Sequence, residues 1–139
     1  MRDHGGTSSR DFGKEGEAAA ARYLLKKGFR TTARNVFVGR KEIDLIAVGQ
    51  GMILFVEVKT RTQTPDSDSP YGRPGDAVNA RKRDNLLYAV RGYMYSHKKE
   101  CEGLQPRIDI VEVYADPSSD GFRALEIRHF PNAVHPRRY

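Results

Sequence analysis

The chain has 139 residues, which is enough for one domain of ordinary size and too few for two. A composition of 38% hydrophobic and 30% charged residues is typical of a water-soluble protein with one core. No apolar run approaches the ~20 residues that a membrane helix needs, and the polar N-terminus lacks the pattern of a secretory signal. The single cysteine, Cys101, excludes an intrachain disulfide and favours a cytoplasmic location.

Positive charge is unevenly distributed along the chain. The net charge of +6 and a pI near 9.6 favour a polyanionic partner, although many basic proteins bind none. Seven cations and two anions lie between residues 73 and 99, a concentration suited to contact with a phosphate backbone. The alternative is an ordinary solvated helix face. We predict a nucleic-acid-binding surface that consists of Arg61, Arg73, Arg81, Lys82 and Arg83.

The first predicted element is a helix over residues 12–27. Asp11 is a suitable N-cap, an alanine run favours the helix, and Gly28 ends it. The polar, Gly/Ser/Thr-rich residues 1–10 before it are predicted to form a disordered arm.

Three predicted strands follow this helix. They are rich in β-branched and aromatic residues and span residues 29–38, 42–48 and 52–60. Gly49-Gln50-Gly51 indicates a tight hairpin between the last two. The long polar stretch over residues 62–75 is expected to be a functional or mobile loop.

The C-terminal half predicts a second helix over residues 77–95, with Asp76 as its cap. An apolar strand over residues 108–114 and an edge strand over residues 124–130 complete the domain. The order α-β-β-β-α-β-β predicts an α/β fold: one domain over residues 11–134 with a mixed central sheet flanked by helices. Residues 135–139 form a short basic tail.

Two acids interrupt apolar strands where a folding argument would not place them. Asp44 lies within Ile43-Asp44-Leu45-Ile46, and Glu57 lies within Phe55-Val56-Glu57-Val58. Burying a lone carboxylate costs several kcal/mol, so such acids call for a partner or a metal.

The predicted hairpin brings these acids together. If Gln50 and Gly51 are the two loop residues, Asp44 lies directly opposite Glu57 on the same face of the sheet. A slip of one residue would separate them. Lys59 is two residues beyond Glu57 and shares its face.

Each predicted helix adds one charged residue to this group. Glu17 lies on the apolar stripe of the first helix, and Lys82 lies on that of the second. A solvated glutamate and a lysine whose stem covers apolar surface are the alternatives.

These oxygen donors predict a metal site. Mg²⁺ or Mn²⁺ would be held by Asp44, Glu57 and the Val58 carbonyl, and Lys59 would assist an attacking water. The alternatives are a same-face ion pair between Glu57 and Lys59 and a turn-satisfied Asp44.

A set of motifs runs in the same order as in one known family. From Gly13 to Val113 the chain resembles the YraN-like family of small bacterial predicted endonucleases, which are similar to archaeal Holliday-junction resolvases. The motifs are Gly13-Lys14-Glu15-Gly16-Glu17, Asn35, Glu42-Ile43-Asp44-Leu45-Ile46, Phe55-Val56-Glu57-Val58-Lys59-Thr60-Arg61, Tyr71-Gly72-x-Pro74, Ala77-Val78-x-x-x-Lys82 and Arg107-Ile108-Asp109.

The resemblance implies a PD-(D/E)XK, restriction-endonuclease-like α-β-β-β-α-β core. It also implies that Glu17, Asp44, Glu57 and Lys59 are the catalytic residues, with Lys82 as an accessory basic group. The chain departs from the family's pattern at Lys41, where glycine usually precedes Glu-Ile-Asp.

Three functions are compatible with the sequence. The leading hypothesis is a Mg²⁺-dependent endonuclease acting on DNA, including branched DNA, for which a two-fold homodimer would be favoured. The second is a non-catalytic DNA- or RNA-binding module that keeps the nuclease core. The third is an interaction protein in which the charged cluster is an ion-pair network.

Overall fold

The computed structural model describes residues 9–62 and 80–135. Its strands form one mixed sheet in the order β1-β2-β3-β4-β5. Neighbouring strands are antiparallel except for the central β3–β4 pair, which is parallel. The elements are α1 (Ser9–Lys26), β1 (Arg30–Val38), β2 (Lys41–Gly49), β3 (Met52–Arg61), α2 (Ala80–Ser96), α3 (Lys98–Cys101), β4 (Gln105–Ala115) and β5 (Ala124–Val134).

The predicted order of helices and strands is confirmed, and the differences concern boundaries. Helix α1 begins at Ser9, before the expected cap at Asp11. Strand β4 begins three residues earlier than predicted because Gln105 to Arg107 continue the parallel pairing with β3. The short helix α3 was not predicted. Three parts of the chain lie outside the described residues: residues 1–8, residues 63–79, which include the predicted helix cap Asp76, and residues 136–139.

Each face of the sheet is covered by one helix, which gives the molecule two apolar layers. Leu24 of α1 packs with Leu45, Val56 and Val111 on one face. On the other face, Leu86, Ala89 and Tyr93 of α2 pack with Ile43, Phe55 and Ile110. The central strands therefore carry apolar residues on both faces, which explains their nearly continuous hydrophobic runs. No helix of the described ranges is both long and apolar enough to cross a bilayer.

The β2–β3 hairpin has the predicted register. Gly49 pairs with Met52 and Leu45 pairs with Val56, and the predicted pair of Asp44 with Glu57 is the next position beyond this ladder. The backbone ladder ends just before that pair. At this point the Asp44 side chain receives a backbone N–H of β3, as described below.

A buried carboxylate joins the helix α1 face to the last two strands. Asp109 has no exposed side-chain surface, and both of its oxygens accept hydrogen bonds from Arg107 at 2.9 Å. His129 Nε2 lies 2.7 Å from the same carboxylate, and the His129 Nδ1 lies 3.2 Å from the Tyr23 hydroxyl. The backbone N–H of Asn132 also donates to Asp109. Because these donors satisfy the charge, this acid has a structural role, which the sequence did not predict.

Candidate active site

The end of strand β3 gathers four of the charged residues that the sequence singled out. Glu57 and Lys59 project toward the α2 face, where Lys82 arrives from the helix. Lys59 Nζ lies 3.2 Å from Glu57 Oε2, and Lys82 Nζ lies 3.8 Å from the same oxygen. The Glu57 side chain is 15% exposed, so this carboxylate has two cationic neighbours and little contact with water. Lys82 thus belongs to the cluster and does not merely cover apolar surface.

Asp44 reaches this cluster from strand β2. Its Oδ2 accepts a hydrogen bond from the Val58 N–H at 2.8 Å, which fixes the carboxyl group at the open end of the hairpin. Burial and then the nearby Glu57 raise the pKa of Asp44 to about 8, and the Val58 hydrogen bond only partly offsets them. Glu17 and Glu42 raise this pKa further. Negative charge is therefore crowded around Asp44.

The two lysines respond to each other as well as to the acids. Burial and the hydrogen bond and charge of Lys59 lower the pKa of Lys82. Burial alone would lower the pKa of Lys59, but its hydrogen bond with Lys82 and its attraction to Glu57 and Asp44 outweigh this and raise it. The two lysines are thus electrostatically linked, because a positive charge on one disfavours a positive charge on the other, while Glu57 and Asp44 favour both charges.

Glu17 reaches the site from helix α1, but through an intermediary. Its Oε1 accepts a hydrogen bond at 3.1 Å from the side-chain amide of Asn35 on β1. The same amide nitrogen donates to Glu42 Oε2 at 3.0 Å. Sequence reasoning gave no role to Asn35 or Glu42. The signal that could have found both is their place in the family-like motifs, where Asn35 stands alone and Glu42 opens Glu42-Ile43-Asp44-Leu45-Ile46.

Helix α1 comes unusually close to the sheet beside Glu17. A side chain at Gly16 would overlap the Thr60 side chain, so this position requires glycine. At Gly13, one turn earlier, no atom lies within 4 Å of where a Cβ would be. The close approach at Gly16 explains how a residue of helix α1 can reach the end of β3.

A cleft of about 270 Å³ opens over Glu57. The turn between β1 and β2 forms one wall and helix α2 forms the other. Its polar lining comes from Arg40, Lys41, Glu42, Glu57, Lys82 and Asn85. Lys41, the position that departs from the family's pattern, therefore contributes a cation to the rim of this cleft.

The predicted basic surface is only partly assembled at this cleft. Lys82 lines it, and Arg81 and Arg83 lie beside it on helix α2, with Arg81 exposed to solvent. Arg61 instead forms an ion pair at 3.6 Å with the fully buried Glu112, and its side chain is 15% exposed. Arg73 lies outside the described residues.

The oxygen donors of the cluster fit a hard divalent cation. Within residues 9–62 and 80–135, no group of three or more His, Cys, Asp or Glu side chains could hold a metal by itself. Mg²⁺, however, is typically held by one or two carboxylates with waters completing its shell. A bound cation would offset the repulsion among the negative charges around Asp44. The Val58 carbonyl points to the same side as its N–H, as in any strand, and so toward Asp44.

The fold and this cluster define an α/β protein with an acid–lysine site at the end of a central strand. The model of the uncharacterised protein family UPF0102 matches residues 16–113, and the chain belongs to this family. The YraN-like resemblance is thereby confirmed.

Relatives match over nearly their whole length. A UPF0102 protein of Symbiobacterium thermophilum is 42% identical over 91% of this chain and 98% of its own. A UPF0102 protein of Caldanaerobacter subterraneus is 37% identical over 87% and 92%. Among solved structures, a repair endonuclease from Pyrococcus abyssi matches at 14% identity with a TM-score of 0.44, over 82% of this chain and 41% of its own.

Proposed function

We propose that the protein is a Mg²⁺- or Mn²⁺-dependent endonuclease that hydrolyses phosphodiester bonds of DNA, including branched DNA. The observation that carries this proposal is the joint position of Asp44, Glu57 and Lys59 at the open end of the β2–β3 hairpin. Two acids that crowd one another beside an ammonium have no evident value for folding, since each burial costs free energy. They do suit a reaction in which negative charge develops on a phosphate.

Each residue would have a distinct part in this reaction. Asp44, Glu57 and the Val58 carbonyl would hold the cation, which when bound supplies charge to polarise a phosphoryl oxygen and activate a water. Lys59, whose ammonium lies 3.2 Å from Glu57, would stabilise the developing negative charge. Lys82, at the rim of the cleft, would contact the phosphate beside the scissile one.

Metal binding is the first test. Calorimetric titration of Mn²⁺ into the protein should give a binding isotherm that is lost in the double variant Asp44→Asn with Glu57→Gln, while circular dichroism stays unchanged. The matched control removes two exposed acids elsewhere, by Asp120→Asn with Glu100→Gln, and should bind as the wild type does. Equal Mn²⁺ affinity in both double variants would contradict the assignment.

Cleavage is the second test. Duplex, flap, single-stranded and four-way-junction DNA are incubated with Mg²⁺ or Mn²⁺ and wild-type protein, Lys59→Ala or Lys26→Ala. Lys59→Ala should keep binding metal and DNA but lose cleavage, because its ammonium acts mainly as charge develops. Lys26 is exposed on helix α1 and its variant should cleave normally. Equal residual activity in all three preparations would indicate a contaminating nuclease.

A DNA- or RNA-binding module without turnover is the second candidate. It is favoured by the exposed cations of helix α2, which need no reaction to bind a backbone. Tight DNA binding without cleavage of any substrate would support it over the endonuclease. We also propose a cytoplasmic location, where the buried thiol of Cys101 would stay reduced, and a homodimer on branched DNA.

A further inference from the structure

Asn35 combines an unfavourable backbone with an extensive set of side-chain contacts. Its φ is +50°, in the left-handed region that residues with a side chain seldom adopt and that asparagine tolerates better than most. It lies in strand β1 rather than in a turn. A strained residue within a regular strand persists only where surrounding contacts fix it, and such residues concentrate at functional sites.

The side-chain contacts of Asn35 all involve charged groups. Its amide nitrogen donates one hydrogen bond to Glu17 on helix α1 and a second to Glu42 on strand β2. Its carbonyl oxygen accepts a hydrogen bond from Lys14 Nζ at 3.4 Å. Both hydrogens and the oxygen of the side-chain amide therefore take part in hydrogen bonds. The lysine and the two glutamates determine the orientation of the amide, because its oxygen must face the cation and its nitrogen the anions.

These contacts hold two carboxylates side by side. Since one oxygen of Glu17 and one of Glu42 both lie within 3.1 Å of the same nitrogen, the two oxygens are at most about 6 Å apart. Without a shared donor, like charges at this separation would drive the flexible side chains apart. Both acids act electrostatically on Asp44, and Glu42 also lines the cleft.

We propose that Asn35 is a positioning residue that clamps Glu17 and Glu42 beside the cleft, and that Glu42 is a further acid of the active site. The proposal rests on the endonuclease function given above. Glu17 and Glu42 would orient the water shell of the cation, a role in which small displacements matter because hydrogen bonds depend on direction. Asn35 touches neither substrate nor cation and acts through the two acids.

The decisive variant is Asn35→Gly, which accepts the positive φ but removes the amide. Asn132→Gly is its matched control, because Asn132 also has a positive φ, of +53°, and its contact with Asp109 uses the backbone N–H. Both variants should have similar melting temperatures. Asn35→Gly should lower kcat or Mn²⁺ affinity 10- to 100-fold, the usual cost of losing a residue that orients a metal site, with little change in KM for DNA.

A double-variant cycle tests whether Glu42 acts through the clamp. Glu42→Gln should reduce kcat, and adding Asn35→Gly to it should cause a much smaller further loss than Asn35→Gly causes alone. Fully additive losses would contradict the clamp. Asn35→Gly that cleaves and binds Mn²⁺ as well as Asn132→Gly does would overturn the proposal outright.

The clamp can also be observed without any activity. In the metal-free protein, the Asn35 side-chain amide resonances should be protected from exchange and should shift in both Glu17→Gln and Glu42→Gln. If these shifts are found in a protein that neither binds Mn²⁺ nor cleaves DNA, the clamp stands and the endonuclease proposal fails. If the resonances respond to neither substitution, the clamp is wrong whatever the activity.

Discussion

At the level of single residues, the Asp44 carboxyl group is held where its charge is disfavoured. Its raised pKa means that the folded protein binds a proton there that the unfolded chain releases. In the metal-free protein, the contribution of this group to stability is therefore fully favourable only near pH 4 and below. It decreases as the pH rises toward about 8.

Removing this charge should stabilise the metal-free protein. Asp44→Asn keeps an oxygen that can accept the Val58 N–H, and we expect it to raise the free energy of unfolding by about 1–3 kcal/mol at pH 7.5. The gain should fall toward zero at pH 4. Urea denaturation at several pH values measures it, with Asp120→Asn, an exposed aspartate, as the control. A variant less stable than the wild type at pH 7.5 would contradict the charge crowding.

Asp109 shows the opposite electrostatic behaviour on the other face of the sheet. Burial alone would raise its pKa, but hydrogen bonds from His129, Arg107 and the Asn132 N–H outweigh burial and lower it. The pH dependence of stability is therefore opposite to that of Asp44. The stabilisation by Asp109 is present above the unfolded pKa near 4 and is lost as the pH falls through the lower folded pKa.

Asp109→Asn should accordingly be strongly destabilising at neutral pH. It replaces one of the two oxygens that accept from Arg107 by an amide group and leaves the buried guanidinium contact without its counter-charge, at a cost of about 3–5 kcal/mol. The difference from the wild type should shrink as the pH falls below about 4, because the unfolded wild-type chain then binds a proton at this carboxylate before the folded protein does. Denaturation curves at pH 7 and pH 3 test this. A difference independent of pH would mean that packing, and not charge, is lost.

At the level of secondary-structure elements, replacing either of two glycines of helix α1 by alanine should have opposite effects on stability. Gly13→Ala should stabilise the protein by about 0.5–1 kcal/mol, because alanine has the higher helix propensity and nothing lies near the new methyl group. Gly16→Ala should destabilise it and reduce metal binding or cleavage, because the methyl group would overlap Thr60 and push Glu17 away from the site. Thermal denaturation of both variants and Mn²⁺ titration measure these effects. If both variants were stabilised, helix α1 would be able to shift away from Thr60, and the close approach at Gly16 would not be required.

The elements and their register were accessible from the sequence because they follow from local patterns. Gly49-Gln50-Gly51 fixed the hairpin, and the hairpin brings Asp44 to the end of β3, where it accepts the Val58 N–H. Lys82 was expected to approach because it lies on the apolar stripe of α2. The Asn35 contacts were not accessible from the sequence, because they join residues of β1, α1 and β2. The periodicity of apolar residues does not determine how these three elements pack against one another. The ion pair of Arg61 was not accessible for the same reason, because its partner, Glu112, comes from β4, far along the chain; its contact with nucleic acid stays a prediction.

At the level of the whole molecule, the net charge of +6 predicts that the proposed binding of nucleic acid depends strongly on salt. The triple variant of Arg81, Lys82 and Arg83 to alanine should weaken DNA binding broadly and reduce the slope of log K against log salt by about 2. The matched control replaces three exposed cations of the other helix region, Arg22, Lys26 and Lys27. Fluorescence anisotropy at several salt concentrations measures both. Equal slopes would assign the binding surface elsewhere.

The parallel pairing of β3 with β4 has a consequence for how the chain folds. More than forty residues separate Arg61 from Gln105, whereas the strands of each antiparallel pair are joined by a much shorter connection. Closing the longer segment costs more chain entropy. The β1–β2–β3 meander should therefore form early, and the parallel pairing of β3 with β4, which we call the β3–β4 seam, should form late. Val111→Ala, at the seam, should then mainly speed unfolding, while Ile46→Ala, within the meander, should mainly slow refolding. Because Glu57 and Lys59 lie on β3 and Lys82 lies in the connection to β4, the cleft would be completed in the last step of folding.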